Sequence, residues 1–349
     1  MGLINPKNEI ITPYINNNKE SHLNLIYLKN ITNFPIDSCI DYSFCIFKSI
    51  NDLLILICSK KKSIISYNLN NFQKLNEIKN AHNKNIISFR HIFDKYKIRD
   101  IIISVSSIQN NVKLWSFSNW ECLYNYIETK NNDFLFSACF LDNNYQIFIL
   151  TSKYCNDYPT EKIKVYDLNG EKIKEINNSN EKTIFIDSFF DNKTSKHFII
   201  TGNKGYVKSY DFDNNKEYHK YSNEENHLEH YHHSIAIVQK KEITKMFESD
   251  SYKYIRIWDF HSGMMLKIIE IGDEPQGIFI LSEKYLLIGN LLKIKIYDFE
   301  EDKIIKDIKC NNTKVLFNIK VFFHPKLGEC MISQNFQGKI KLWIIKYNK

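Results

Sequence analysis

Ile163-Lys164-Val165-Tyr166-Asp167-Leu168, Ile255-Arg256-Ile257-Trp258-Asp259-Phe260 and Ile294-Lys295-Ile296-Tyr297-Asp298-Phe299 are copies of one strand pattern: apolar, basic, apolar, aromatic, acidic, apolar. Val207-Lys208-Ser209-Tyr210-Asp211-Phe212 is a fourth copy. Val112-Lys113-Leu114-Trp115-Ser116-Phe117 and Ile340-Lys341-Leu342-Trp343-Ile344-Ile345 keep the strand and lose the acid, and Ile64-Ile65-Ser66-Tyr67-Asn68-Leu69 is the most worn. With the aromatic as marker, Tyr67, Trp115, Tyr166, Tyr210, Trp258, Tyr297 and Trp343 follow one another at intervals of 48, 51, 44, 48, 39 and 46. Alternation of apolar and polar residues reads as a half-buried strand, and a strand unit repeating in the forties reads as propeller blades. Two further strand-like runs precede each marker, such as 86–93 and 100–105 before Trp115, and a fourth run follows, such as 171–176 after Tyr166. Four short strands joined by tight turns make one antiparallel blade. The fold predicted is therefore all-β: a seven-bladed propeller of four-stranded antiparallel blades.

The ends of the sequence predict how the ring closes. The last marker strand runs to about Ile345 and the sequence stops at Lys349, too soon for an outer strand in that blade. Leu23-Asn24-Leu25-Ile26-Tyr27-Leu28-Lys29 reads as a strand ahead of the first blade, which begins at about Cys39, and has no blade of its own. Pairing the two supplies the missing strand and removes two open sheet edges. Residues 1–21, rich in Asn and Lys, are expected as a flexible tail or outer strap, and 22–349 as a single propeller.

Composition narrows the function classes. The net charge is +7, yet three of the 47 basic residues are Arg (Arg90, Arg99 and Arg256). Base and phosphate recognition favour the guanidinium fork, so no specific nucleic-acid role is expected. Lys, Asn and Ile are inflated together, which reads as a coding bias toward A- and T-rich codons. The eight cysteines form no C-x-x-C pair, and several sit inside apolar strand patterns, as Cys58 does; reduced thiols in a cytoplasmic or nuclear setting follow. The first residues lack the basic and apolar regions of a signal peptide, and Pro6 stands where a myristoylation signal needs Ser or Thr. No apolar run is long enough to insert in a membrane.

At Trp258-Asp259 and the Tyr-Asp copies the chain resembles the WD-repeat β-propeller family, from about residue 22 onward. The resemblance implies seven blades closed by an N-terminal strand and a protein-interaction role. It also implies a hydrogen-bonded set in each blade: a His before the first strand, a Ser or Thr on the second, the marker Trp, and an Asp in the turn six residues before it. Here those turn positions hold Lys61, Gln109, Thr160, Lys204, Tyr252, Leu291 and Gln337, none of them Asp. Ala81-His82 is the one good match to the family's Gly-His pair. The expectation is that this polar network is largely missing, that blades are held by apolar packing, and that His82 contributes about 1 kcal/mol at most, one ordinary hydrogen bond. The basic residue two before the marker, Lys113, Lys164, Lys208, Arg256, Lys295 and Lys341, is expected to lay its stem between blades rather than to form a ligand-binding ring. His261 replaces the Arg of the Trp-Asp-x-Arg box by which some family members dock on ubiquitin-ligase adaptors, so that docking is not expected.

No glycine-rich phosphate loop, nucleophile elbow, zinc-protease or kinase signature is present, and Gly202-Asn203-Lys204-Gly205 reads as a plain turn. The chain is expected not to be an enzyme, and to need no cofactor or small-molecule substrate. One stretch stands out: His219, His227, His230, His232 and His233 lie around Glu224, Glu225 and Glu229. Imidazoles at such spacing can hold zinc; the reading adopted is a solvated connection between the fourth and fifth blades, without metal. A second irregular connection, 151–161, precedes the third marker strand and opens on the same face. Long connections with accessible aromatics on a rigid scaffold are frequent recognition elements. Tyr154, Tyr158 and Tyr231 are the expected anchors for a protein or peptide partner, with His227, His230 and His232 at the rim. The alternative is a subunit of an RNA-handling or ribosome-associated assembly that uses surface Lys.

Overall fold

The computed structural model describes residues 23–32, 43–106, 111–127, 134–143, 145–154, 161–178, 183–222, 232–290, 293–309, 316–335 and 339–347. All regular structure among them is β: seven sheets of four antiparallel strands. Blades 1 to 6 occupy residues 44–78, 86–127, 134–178, 183–221, 232–270 and 275–309, each with its strands in chain order from the inner edge outward. Blade 7 has three strands from 316–347 and takes Leu23–Asn30 as its outer strand, antiparallel to Ile340–Tyr347. The closure expected from the sequence is therefore present. Successive inner strands pack on one another, and that of blade 7 packs on that of blade 1.

Period-two patterning explains the core. Second strands such as Leu54–Lys60 and Tyr285–Asn290 are mostly apolar and buried nearly throughout, because both faces of the sheet are covered by neighbouring blades. Clusters such as Val112, Leu114, Ala138, Phe140, Ile147 and Ile149 span two adjacent blades, so the core lies between sheets. Outer strands are exposed and carry charge, as in Lys303–Lys309, which blunts their open edges.

Antiparallel strands divide the connections into two faces. The inner-to-second and third-to-outer turns open on one, called here the turn face. The second-to-third turns and the links between blades open on the other, the connection face. The marker acids fold the turn face: Asp167, Asp211, Asp259 and Asp298 each accept two backbone amides of the following turn through Oδ1, at 2.8–3.0 Å. That is an Asx turn, and it accounts for the acid in the repeat without a catalytic role. The fourth residue after this position is left-handed in five blades: Phe72, Trp120, Asn215, Gly263 and Asp302. Glycine occupies it once, consistent with turns built from Asn and Asp in a glycine-poor chain. On the inner-to-second turns Asp94 caps in the same way, Asp191 accepts the Thr194 amide through Oδ2 at 2.8 Å, and His324 substitutes by accepting the Lys326 and Leu327 amides on Nδ1 at 3.1 Å.

Candidate interaction face

Three of the four members of the expected polar network are in place in blade 2. His82 Nε2 lies 2.6 Å from Ser104 Oγ, which accepts from the Trp115 indole at 2.8 Å. In blade 7 the Trp343 indole donates to Ser333 Oγ at 2.8 Å. Blade 5 replaces the hydroxyl with a carboxylate: Glu248 stands across from Arg256, as Ser104 stands across from Lys113, and Trp258 donates to Glu248 Oε2 at 2.7 Å. Arg256 Nη1 pairs with Asp250 at 2.6 Å and lies 3.3 Å from Glu248, all three side chains being buried. The network is thus incomplete in every blade, its turn Asp missing, while each Trp marker keeps a buried polar partner, because an indole N–H taken out of water must donate. His82 is buried and held neutral, its pKa pushed down to about 3 by desolvation and the Lys113 charge.

Three of the cations two before the markers have partners within their own blade or in the segment leading into it. Lys113 donates to the Ala81 carbonyl at 2.7 Å, Lys208 pairs with Glu217 at 2.9 Å, and Lys295 pairs with Asp307 at 3.1 Å. His261, in place of the docking Arg, faces Tyr218 at 3.3 Å through Nδ1 and Asp191 at 3.5 Å through Nε2.

The expected partner contacts fall mostly beyond the described structure. Tyr158, His227, His230 and Tyr231 lie outside the described residues. Tyr154 ends the second strand of blade 3, Ile147–Tyr154, across from Phe134, and His232 begins His232–Gln239 across from Asp250. Both positions open on the connection face. Tyr221, which leads into the His-rich connection, pairs with Val207, just after the blade 4 turn that carries Tyr206. At its other end Asp250 closes the blade 5 turn by accepting the Tyr252 amide at 3.0 Å. Each end of the connection therefore abuts a turn bearing a tyrosine. Lys220 stands 4.2 Å from the Tyr206 ring centroid, while Tyr252 is 51% exposed and stacks near Tyr254 at 6.1 Å. Tyr252 is the described residue best placed to extend an aromatic contact surface, and sequence reasoning passed over it as a turn residue. Its signal was present: it occupies the position at which the resemblance expects Asp.

Among the described residues no group of three or more His, Cys, Asp or Glu is arranged to hold a metal ion, and no helix is long and apolar enough to cross a membrane.

Raptor of Chaetomium thermophilum shares this fold. Its crystal structure matches with a TM-score of 0.68 at 12% sequence identity, over 93% of this chain and 30% of that one. The chain thus spans under a third of that protein, and at this identity the likeness extends to the fold alone. No protein-family profile matches the sequence, and the comparison with curated proteins found no match.

Proposed function

We propose that this chain is a non-catalytic interaction module, a divergent WD-repeat-like propeller of residues 22–349 preceded by a flexible tail, that holds a peptide or partner domain on its connection face. The observation that carries this reading is that the described ends of both irregular connections open on that face, those of the His-rich one pairing beside the tyrosine-bearing turns of blades 4 and 5. Tyr154, Tyr158 and Tyr231 serve as anchors and His227, His230 and His232 as rim contacts, since phenol rings bury area at low entropy cost. Disulfide-free cysteines at positions 45, 58, 122, 139 and 330 accord with a cytoplasmic or nuclear setting.

The test is affinity purification of partners with the full chain, followed by binding of the recovered partner to a Tyr154→Ala, Tyr158→Ala double variant. Binding at least about tenfold weaker with an unchanged melting temperature is expected, since truncating a central anchor costs about 2 kcal/mol. Unchanged affinity moves the interface to the turn face, where Trp120 is the next candidate. Association that collapses as salt rises identifies a phosphate-driven, RNA-handling role instead.

A further inference from the structure

The pairing registers align one residue from every inner strand at a common level of the ring. In each blade the third-strand residue just before the marker pairs with a second-strand residue, and that residue pairs with an inner-strand one. The inner residues reached in this way are Cys45, Arg90, Cys139, Asp187, Ala236, Phe279 and Lys320, in blade order. Six of them are partly exposed although they lie on the innermost strands, where only the central channel offers solvent, and Cys139 is buried.

Contacts confirm that they face one another. Arg90, in blade 2, reaches past blade 3 to blade 4, donating to the Ile186 carbonyl at 3.2 Å and standing 3.9 Å from Asp187. Lys320 Nζ lies 5.9 Å from the Phe279 ring centroid. Burial pushes the Cys45 thiol up to about 12, against the opposing pull of the Arg90 and Lys320 charges. The level is two-sided. Lys320, Arg90 and Asp187 form a charged arc with two cations to one carboxylate, and Ala236 and Phe279 form an apolar arc.

We propose that this level of the channel binds a carboxylate carried on an apolar stem, the carboxylate between Lys320 and Arg90 and the stem along Phe279 and Ala236. An entering carboxylate balances the charge of the level, beside fixed cations whose field the protein walls of the channel concentrate. The stem replaces water on the apolar arc. The carboxylate comes either from a free short-chain acid or from an acidic side chain of a docked peptide; only the second source rests on the interaction reading above.

Calorimetric titration of the full chain with hexanoate, its neutral isostere hexanamide, inorganic phosphate and acetyl-Leu-Glu-amide tests the site without any partner. Hexanoate is expected to bind saturably, and more tightly than either hexanamide or phosphate. Lys320→Met should weaken it about fivefold or more, the effect of losing one partly buried charge contact. Asp187→Asn should tighten it, because Arg90 loses a competing carboxylate. That gain is not expected of a variant that merely damages the fold, and melting curves of both variants check integrity. Tighter binding of the peptide than of hexanoate identifies a docked side chain, and hexanoate binding without peptide binding identifies a free acid. Absent hexanoate binding, equal affinity in Lys320→Met, or phosphate binding as tight as hexanoate overturns the proposal. None of these outcomes bears on the Tyr154 and Tyr158 test, so the two readings fail separately.

Discussion

Tyr27, in the first described strand, stands directly across from Trp343 in the last, and their rings meet edge to face at 5.6 Å. This pair joins the two ends of the sequence within one sheet. Deleting residues 22–30 strips blade 7 of its outer strand and leaves Ile340–Tyr347 as an open edge. A sharp fall in melting temperature or aggregation is expected, whereas deleting residues 1–15 should change little; differential scanning fluorimetry and light scattering on both deletions decide it. Equal tolerance of the two would contradict closure by this strand.

His82→Ala is expected to cost about 3 kcal/mol, well above a single hydrogen bond, because it opens a cavity at a fully buried site and removes a partner of Ser104. Urea denaturation measures it. A loss near 1 kcal/mol would show that the site collapses around the gap.

The same histidine makes stability depend on pH. Its folded pKa of about 3 lies below the ordinary histidine value, so between about pH 6.5 and 3 the unfolded chain holds a proton that the folded chain does not. Stability is then fully present above about pH 6.5 and falls by about 1.4 kcal/mol per pH unit on acidification. His324, whose pKa is also lowered chiefly by burial and whose Nδ1 must stay unprotonated to accept two amides, acts in the same direction. Melting curves from pH 7 to 4 should slope less steeply in His82→Gln; an unchanged slope would assign the acid sensitivity elsewhere.

Arg256→Met should destabilise by about 3–5 kcal/mol, since it leaves Glu248 and Asp250 buried without their shared cation. Adding Glu248→Ser, which restores the arrangement of blades 2 and 7, should recover part of that loss. Chemical denaturation of the single and double variants supplies the comparison, and a double variant no more stable than the single one would refute the coupling.

Ile98 is β-branched, left-handed at φ 50 and 67% exposed. Since a left-handed backbone costs such a residue about 1–2 kcal/mol, Ile98→Gly should raise stability by up to about 1 kcal/mol after the greater chain entropy of glycine is subtracted. A lower melting temperature would mean that the side chain makes contacts worth more than the strain.

Tyr252→Ala should weaken binding of the partner recovered with the full chain about tenfold while leaving the melting temperature unchanged, as its ring is half exposed. Retained affinity would confine the contact surface to the two long connections.

The sequence alone determined the number of blades, their four-strand make-up and the closing strand, because period-two alternation and a repeat of 39 to 51 residues are properties of neighbours along the chain. Ile255-Arg256-Ile257-Trp258-Asp259-Phe260 announces its strand and its Asx turn without reference to anything distant. The partners of those residues were a different matter. That Trp258 donates to Glu248, that Ser104 joins His82 to Trp115, and that Arg90 crosses the channel to Asp187 follow from strand register and from which blades face each other. The Glu248 site left a trace in the sequence: an acid directly after Met246 and Phe247 on a second strand, matched by the one Arg among the cations two before the markers. The channel level left none, for its residues come from seven blades that are brought together only when the ring closes. Contacts within a repeat are written locally, whereas contacts between repeats depend on closing long loops, and only the tertiary structure decides them.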